Sequence, residues 1–176
     1  MKNKTGSPAE SRYPHAYRKD RRPVMVASAA AVGVGLAGGL ATEIGPWYVS
    51  LRKPSWQPPN WLFAPAWTII FALTAAAAVR TWRATPDPAG RRGLLAAFAT
   101  NGALNIAWSV LFFRLRRPDW ALAEVVALWL SILGLIVSCG RRSRLAGWML
   151  SPYLAWVTFA SALNLKIVQL NRPFGR

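Results

Sequence analysis

Trp120-Ala-Leu-Ala-Glu-Val-Val-Ala-Leu-Trp-Leu-Ser-Ile-Leu-Gly-Leu-Ile-Val-Ser-Cys139 is an apolar run broken by a single charge, Glu124. A hydrocarbon core about 30 Å thick is crossed by roughly twenty helical residues, and this run has that length. It lacks the period-two alternation of a barrel strand. A backbone in lipid must satisfy its own polar groups, so the run predicts a membrane-spanning α-helix. Outward from it the same ruler finds four more spans, at about Val24 to Glu43, Asn60 to Trp82, Gly93 to Phe113 and Leu145 to Leu170. Connections after the second, third and fourth spans are short, so neighbouring helices run antiparallel. The expected fold class is an all-α integral membrane protein, a multi-pass five-helix bundle over 24–171. A basic tail over 1–23, with almost no apolar content, is expected to be disordered, and 172–176 form a short tail.

The chain has 176 residues, 53% of them hydrophobic, and a formal net charge of +16. In a soluble protein such a charge would suggest nucleic acid. Here the bases lie beside apolar runs, the ordinary topology signal of a membrane protein, so no nucleic-acid partner is expected and the lipid bilayer is. The tail, with the loops holding Arg80, Arg83, Arg91, Arg92, Arg141, Arg142 and Arg144, outweighs the basic residues of the other side. In a plasma membrane this places the N-terminus in the cytoplasm. Arg21-Arg22 before an apolar run ending in Gly39-Leu40-Ala41 also matches an export signal, but the run is long enough to span. The lone Cys139 excludes an intrachain disulfide. No metal-ligand cluster, Ser-His-Asp set or phosphate-cradling glycine loop occurs, and the lone histidine, His15, lies in the tail; no metal and no required cofactor are expected.

Between the first two spans, Trp47 to Trp67 is loaded with indoles and prolines, including Trp56 and Pro58-Pro59. Prolines stiffen such a loop and aromatics give it broad flat surfaces, so it reads as a lid over a flat, greasy ligand. Inside the bundle, Asn101, Asn105 and Trp108 share a face of the third helix; Tyr153, Trp156, Ala160 and Asn164 share one of the fifth; Phe63, Trp67 and Phe71 share one of the second. Amides are costly against lipid and so face inward, toward a ligand or toward each other. Amides also glue helices and aromatics also fill cores, so packing accounts for any one of them equally well. Trp61, Trp82, Trp120 and Trp148 fall near span ends, where indoles anchor at the interface. Gly35 and Gly39 form a Gly-x-x-x-Gly pair suited to a close helix contact, within one bundle or between two. Glu43 and Glu124 either pair with loop arginines or, buried, gate a proton.

Three ordered motifs carry a resemblance: Trp47-Tyr48 with Lys53-Pro54, Trp56, Pro58-Pro59, Phe63 and Trp67; Leu104-Asn105 with Trp108-Ser109 and Phe112-Phe113; Pro152-Tyr153-Leu154 with Trp156, Phe159-Ala160 and Leu163-Asn164. Together they resemble the tryptophan-rich sensory protein/translocator protein (TspO/MBR) family over about Gly35 to Asn171. The resemblance implies a five-helix bundle, usually a homodimer, whose pocket under the first loop binds protoporphyrin IX, haem and synthetic isoquinoline-carboxamide or benzodiazepine ligands. By the same warrant Tyr48, Trp67, Phe71, Asn105, Trp108, Trp156 and Ala160 match pocket positions. Trp67 and Trp156 match tryptophans implicated in light-dependent porphyrin breakdown by bacterial members. Asn101 and Phe71 stand where many members have Gln and Tyr, which keeps an amide and a ring. Leu165 and Gln169 stand where the sterol-recognition segment of animal members needs Tyr and a base, so cholesterol is not expected as a partner.

The functional expectation is a membrane receptor or regulator that binds porphyrins such as protoporphyrin IX or haem. Indole faces would stack on the macrocycle, amides would hold polar edges, and Arg52-Lys53 would meet the propionates. Photo-oxidative turnover through Trp67 and Trp156 would make it an enzyme as well. A small transporter of tetrapyrroles or other lipophilic metabolites is the alternative, although five spans do not divide into matching halves. A purely sensory protein acting through a partner is the third reading.

Overall fold

A computed structural model describes residues 20–174. Most of the tail read as disordered, with His15, lies outside them. The described residues contain helices and no strands: α1 (Arg22–Ala41), a short α2 (Pro46–Ser50), a 3-10 turn (Asn60–Leu62), α3 (Phe63–Arg83), α4 (Pro88–Ser109) continued by a π-helical turn (Val110–Arg114), α5 (Pro118–Gly140) and α6 (Arg144–Asn171). The five long helices have the length and apolarity to cross a membrane. Helix starts follow local chemistry. Pro23, Pro46, Pro88 and Pro118 each sit in a first turn, where a missing N–H costs nothing. Asp87 and Ser143 cap α4 and α6 by accepting from the amides of Gly90 and Ala146.

α1 packs against α3 and α4, α3 against α6, α6 against α5, and α5 against α4, which closes a ring in the order α1-α3-α6-α5-α4. The tightest contact is α5 on α6. Buried α5 residues Pro118, Ala121, Val125, Leu128, Ile132, Leu135 and Cys139 alternate steps of three and four, the seam of a coiled-coil-like pair. Lipid tails are as apolar as leucine, so helices associate through packing rather than water exclusion, and small residues let backbones approach. Gly147 does this: a Cβ added there would lie 3.0 Å from the Gly140 Cα. α1, by contrast, buries only Ala41. Its Gly35 faces the Phe71 ring, 3.3 Å from an added Cβ, while Gly39 meets nothing within 4 Å. The Gly35 contact therefore lies inside the bundle.

Candidate functional site

One chain of rings runs from the first loop into the bundle. Trp56 meets Phe159 edge-on at 5.8 Å, Phe159 leans on Trp156 at 5.8 Å, and Trp156 meets Phe63 at 5.6 Å and Trp67 at 6.5 Å. Trp67 stacks on Phe71 at 5.3 Å and meets Tyr153 at 5.9 Å. These are the offset and edge-to-face contacts that aromatic quadrupoles favour. A second group gathers under α2, where the Tyr48 ring lies 6.4 Å from Phe112 and 5.4 Å from Phe113. Trp108 joins the two groups, stacking on Phe112 at 5.1 Å and packing beside the core that holds Tyr153. The π turn makes this possible. Its i to i+5 bond, from the Leu115 amide to the Val110 carbonyl, widens the helix so that consecutive Phe112 and Phe113 both contact Trp108 and Tyr48.

The amides divide by role. Asn105 Nδ2 donates to the Tyr153 hydroxyl at 3.1 Å, and Asn101 Nδ2 to Ser131 Oγ at 2.9 Å, all within the membrane-spanning part. Both asparagines are buried, as their cost against lipid requires. Asn164, turned so that both ends of its amide are satisfied, donates to the Pro118 carbonyl at 3.1 Å and accepts from the Leu122 amide at 3.2 Å. It holds the first turn of α5 and is not among the residues that line the cavity between α1, α3 and α4. Ala160 lies half-buried one turn beyond Trp156.

Asn171, to which the sequence assigns no role, and Lys53 pin the lid. Asn171, at the end of α6, accepts from the Arg52 amide and donates to the Arg52 carbonyl, both at 2.8 Å. Lys53 Nζ donates to the Tyr48 carbonyl at 2.6 Å and lies 4.4 Å above the Tyr48 ring. That ammonium, held below its ordinary pKa by burial, is committed to the end of α2 and does not point free toward a ligand carboxylate. Burial likewise raises the Tyr48 phenol, against a hydrogen bond from Gln57.

Beneath this aromatic layer, between α1, α3 and α4, lies a cavity of about 440 Å³, within the range of about 300 to 1,000 Å³ typical of ligand sites. Phe71, Asn101 and Tyr153 form its inner wall; Ala27, Ala30, Ala31 and Val34 of α1 form its outer wall. Its mouth is at the end of the bundle away from the lid, where Asp20, Arg22, Arg91 and Trp82 gather. Trp82, at the end of its span as an interface anchor would be, also lines this mouth, with the Arg91 guanidinium 4.9 Å from its ring. The Thr74 hydroxyl also lines the cavity, buried and without a hydrogen-bond partner, as is the Trp108 indole N–H in the aromatic layer. No group of three His, Cys, Asp or Glu side chains comes together as a metal site among the described residues. Glu124 pairs with no arginine, and both its carboxylate oxygens are buried without a partner.

Residues 25–170 match the model of the TspO/MBR family. The chain belongs to the TspO/MBR family. It is 39% identical to the tryptophan-rich protein TspO of Chlorobaculum tepidum, over 80% of this chain and 90% of that one. Protein CrtK of Rhodobacter capsulatus is 40% identical over 77% of this chain and 84% of its own. The translocator protein of Sus scrofa is 36% identical over 67% of this chain and 70% of its own. TspO/MBR membership and five spanning helices make this an integral, multi-pass membrane protein.

Proposed function

We propose that this TspO/MBR protein is a membrane receptor for porphyrins and similar flat hydrophobic ligands. The observation that carries the reading is the continuity of the cavity with the ring chain: Phe71 and Tyr153 form the cavity wall and pack on Trp67, which leads to Trp156. A macrocycle entering the cavity would stack on Phe71, which is itself stacked on Trp67. Asn101 and the unpaired Thr74 hydroxyl would meet its polar atoms, and Arg91 and Arg22 at the mouth would meet its carboxylates. In this pose those arginines, rather than the Arg52-Lys53 pair of the first loop, would hold the propionates. The proposed site thus extends well below the first loop.

Titration of the detergent-solubilised protein with protoporphyrin IX should quench tryptophan fluorescence saturably; well-folded protein that shows no saturable quenching would refute the reading. Asn105→Ala should weaken binding by loosening Tyr153, at a cost of about 1 to 3 kcal/mol for the unpaired buried hydroxyl. Unchanged affinity would limit Asn105 to packing. Indole held against a photo-excited porphyrin can donate an electron to it. Trp67→Phe and Trp156→Phe, each keeping a ring, should therefore retain binding yet slow light-dependent loss of the porphyrin band. Bleaching at the wild-type rate in both and in the double variant would leave a receptor without chemistry.

A further inference from the structure

A second concave surface lies on the outside of the bundle. α1 and α6 do not pack on each other, and between their N-terminal ends the outward face of α3 is left as the floor of a groove of about 860 Å³. The floor is apolar and shallow-sided, from Ala72 through Ala76 to Val79. At 1.5 Å per residue that stretch runs about 10 Å along the membrane normal, enough for the upper part of one acyl chain. At its loop end the groove is rimmed by Arg80, Arg83 and Arg142, brought together from α3 and from the α5–α6 connection. Arg80 Nε donates to Ser143 Oγ at 2.8 Å, which bridges the two elements and fixes the rim. Among the described residues no acidic side chain lines the groove, and the one ion pair, Arg117 with Asp119, is at the opposite end of the bundle.

An apolar slot that faces lipid and ends in three cations with no acidic partner among the described residues matches one chemistry, an amphiphile with an anionic head. Basic pockets between spans on the positively charged side of a membrane protein recognise anionic headgroups by this combination. We infer that the groove binds an anionic phospholipid, with an acyl chain along the Ala72 to Val79 face and its phosphate among Arg80, Arg83 and Arg142. The groove and the cavity proposed for porphyrin lie on two sides of α3, Ala76 lining only the groove and Ala78 only the cavity, and they adjoin at Ala75 and Val79, which line both. An acyl chain in the groove also accounts for alanines on a lipid-facing surface where bulkier side chains would fill the space.

Native mass spectrometry of the full-length protein, with dioleoyl-phosphatidylglycerol and dioleoyl-phosphatidylcholine added in turn, tests it. The wild type should retain phosphatidylglycerol in preference to phosphatidylcholine. A cation near an anionic lipid surface is worth about fivefold in affinity, so Arg83→Gln/Arg142→Gln, at exposed positions, should lose about 25-fold for phosphatidylglycerol with little change for phosphatidylcholine. Ala76→Phe keeps every arginine but fills the floor, and should weaken phosphatidylglycerol as well. Glycerol phosphate, which has the head without the chain, should not displace the lipid at equal concentration. Wild-type phosphatidylglycerol affinity in either variant, or displacement by glycerol phosphate, would overturn the assignment.

Discussion

α5 and α6 meet along a seam of interlocked side chains in which Gly147 lies against the Gly140 backbone, and they bury residues at nearly every inward turn. α1 touches the same bundle through Gly35, Gly38 and Val34, which lies against Gly102, and buries only Ala41, while its Ala27, Ala30 and Ala31 face the cavity. Where helices interlock no space remains. Where α1 leans on α3 and α4 with small side chains, a cavity opens on one side and a groove on the other. The division of labour is physical: dense packing supplies the adhesion that water cannot supply in lipid, and sparse packing leaves room for ligands. The lid end repeats the contrast, since the loop there is pinned by Asn171 and filled with rings while the opposite end is open and rimmed by arginines.

The largest effect expected from breaking this contrast is at the seam. Gly147→Leu forces a side chain into the Gly140 backbone, which cannot swing aside, and should cost about 3 kcal/mol or abolish folding, read as thermal unfolding in detergent. Gly39→Leu, on the open side of α1, should leave that transition unchanged; a fall, or a shift from dimer to monomer by light scattering, would show that α1 carries a contact between copies. Next comes Asn164→Ala, which strips the first turn of α5 of a buried partner and should cost about 1 to 3 kcal/mol. A neutral result would mean that the α5 turn closes its own bond. The smallest effect is at the lid. Asn171→Ala removes both hydrogen bonds to Arg52 and a third to the Ile167 carbonyl, bonds that contribute little net at so exposed a position, about 1 kcal/mol in all, and should speed amide exchange around Arg52 while the transition temperature barely moves. Exchange at the wild-type rate would show that Lys53 and the prolines hold the loop unaided.

The five spans were legible because hydropathy over roughly twenty residues depends on composition alone. Most observed ends lie close to the expected ones, with α1 beginning at Arg22 and α6 at Arg144, but the helix expected from about Gly93 begins at Pro88, because Asp87 caps it and Pro88 starts it before the apolar run. Pro46 after Gly45 was a readable helix start for α2, a signal passed over in a stretch read as loop. The inward placement of Asn101 and Asn105 followed from the cost of an amide in lipid, and both are buried. Which amide would face a cavity and which would bind a helix turn was not legible, because Asn101 and Asn164 look alike until α5 is put in place. The π turn after Ser109 leaves no local mark either, since its residues suit an ordinary helix.

What the sequence by itself determined is one-dimensional: the number of spans, their approximate ends, their orientation signal in the arginines, and a family membership written in three ordered motifs. Only the tertiary structure decided the ring order α1-α3-α6-α5-α4 and therefore which faces meet. Periodicity tells a residue which side of its own helix it occupies, but not which neighbour that side will find. In a bilayer, where helices gain little from burial itself, that choice rests on how small and large side chains interlock. The cavity, the outer groove and the pinned lid are consequences of that fit.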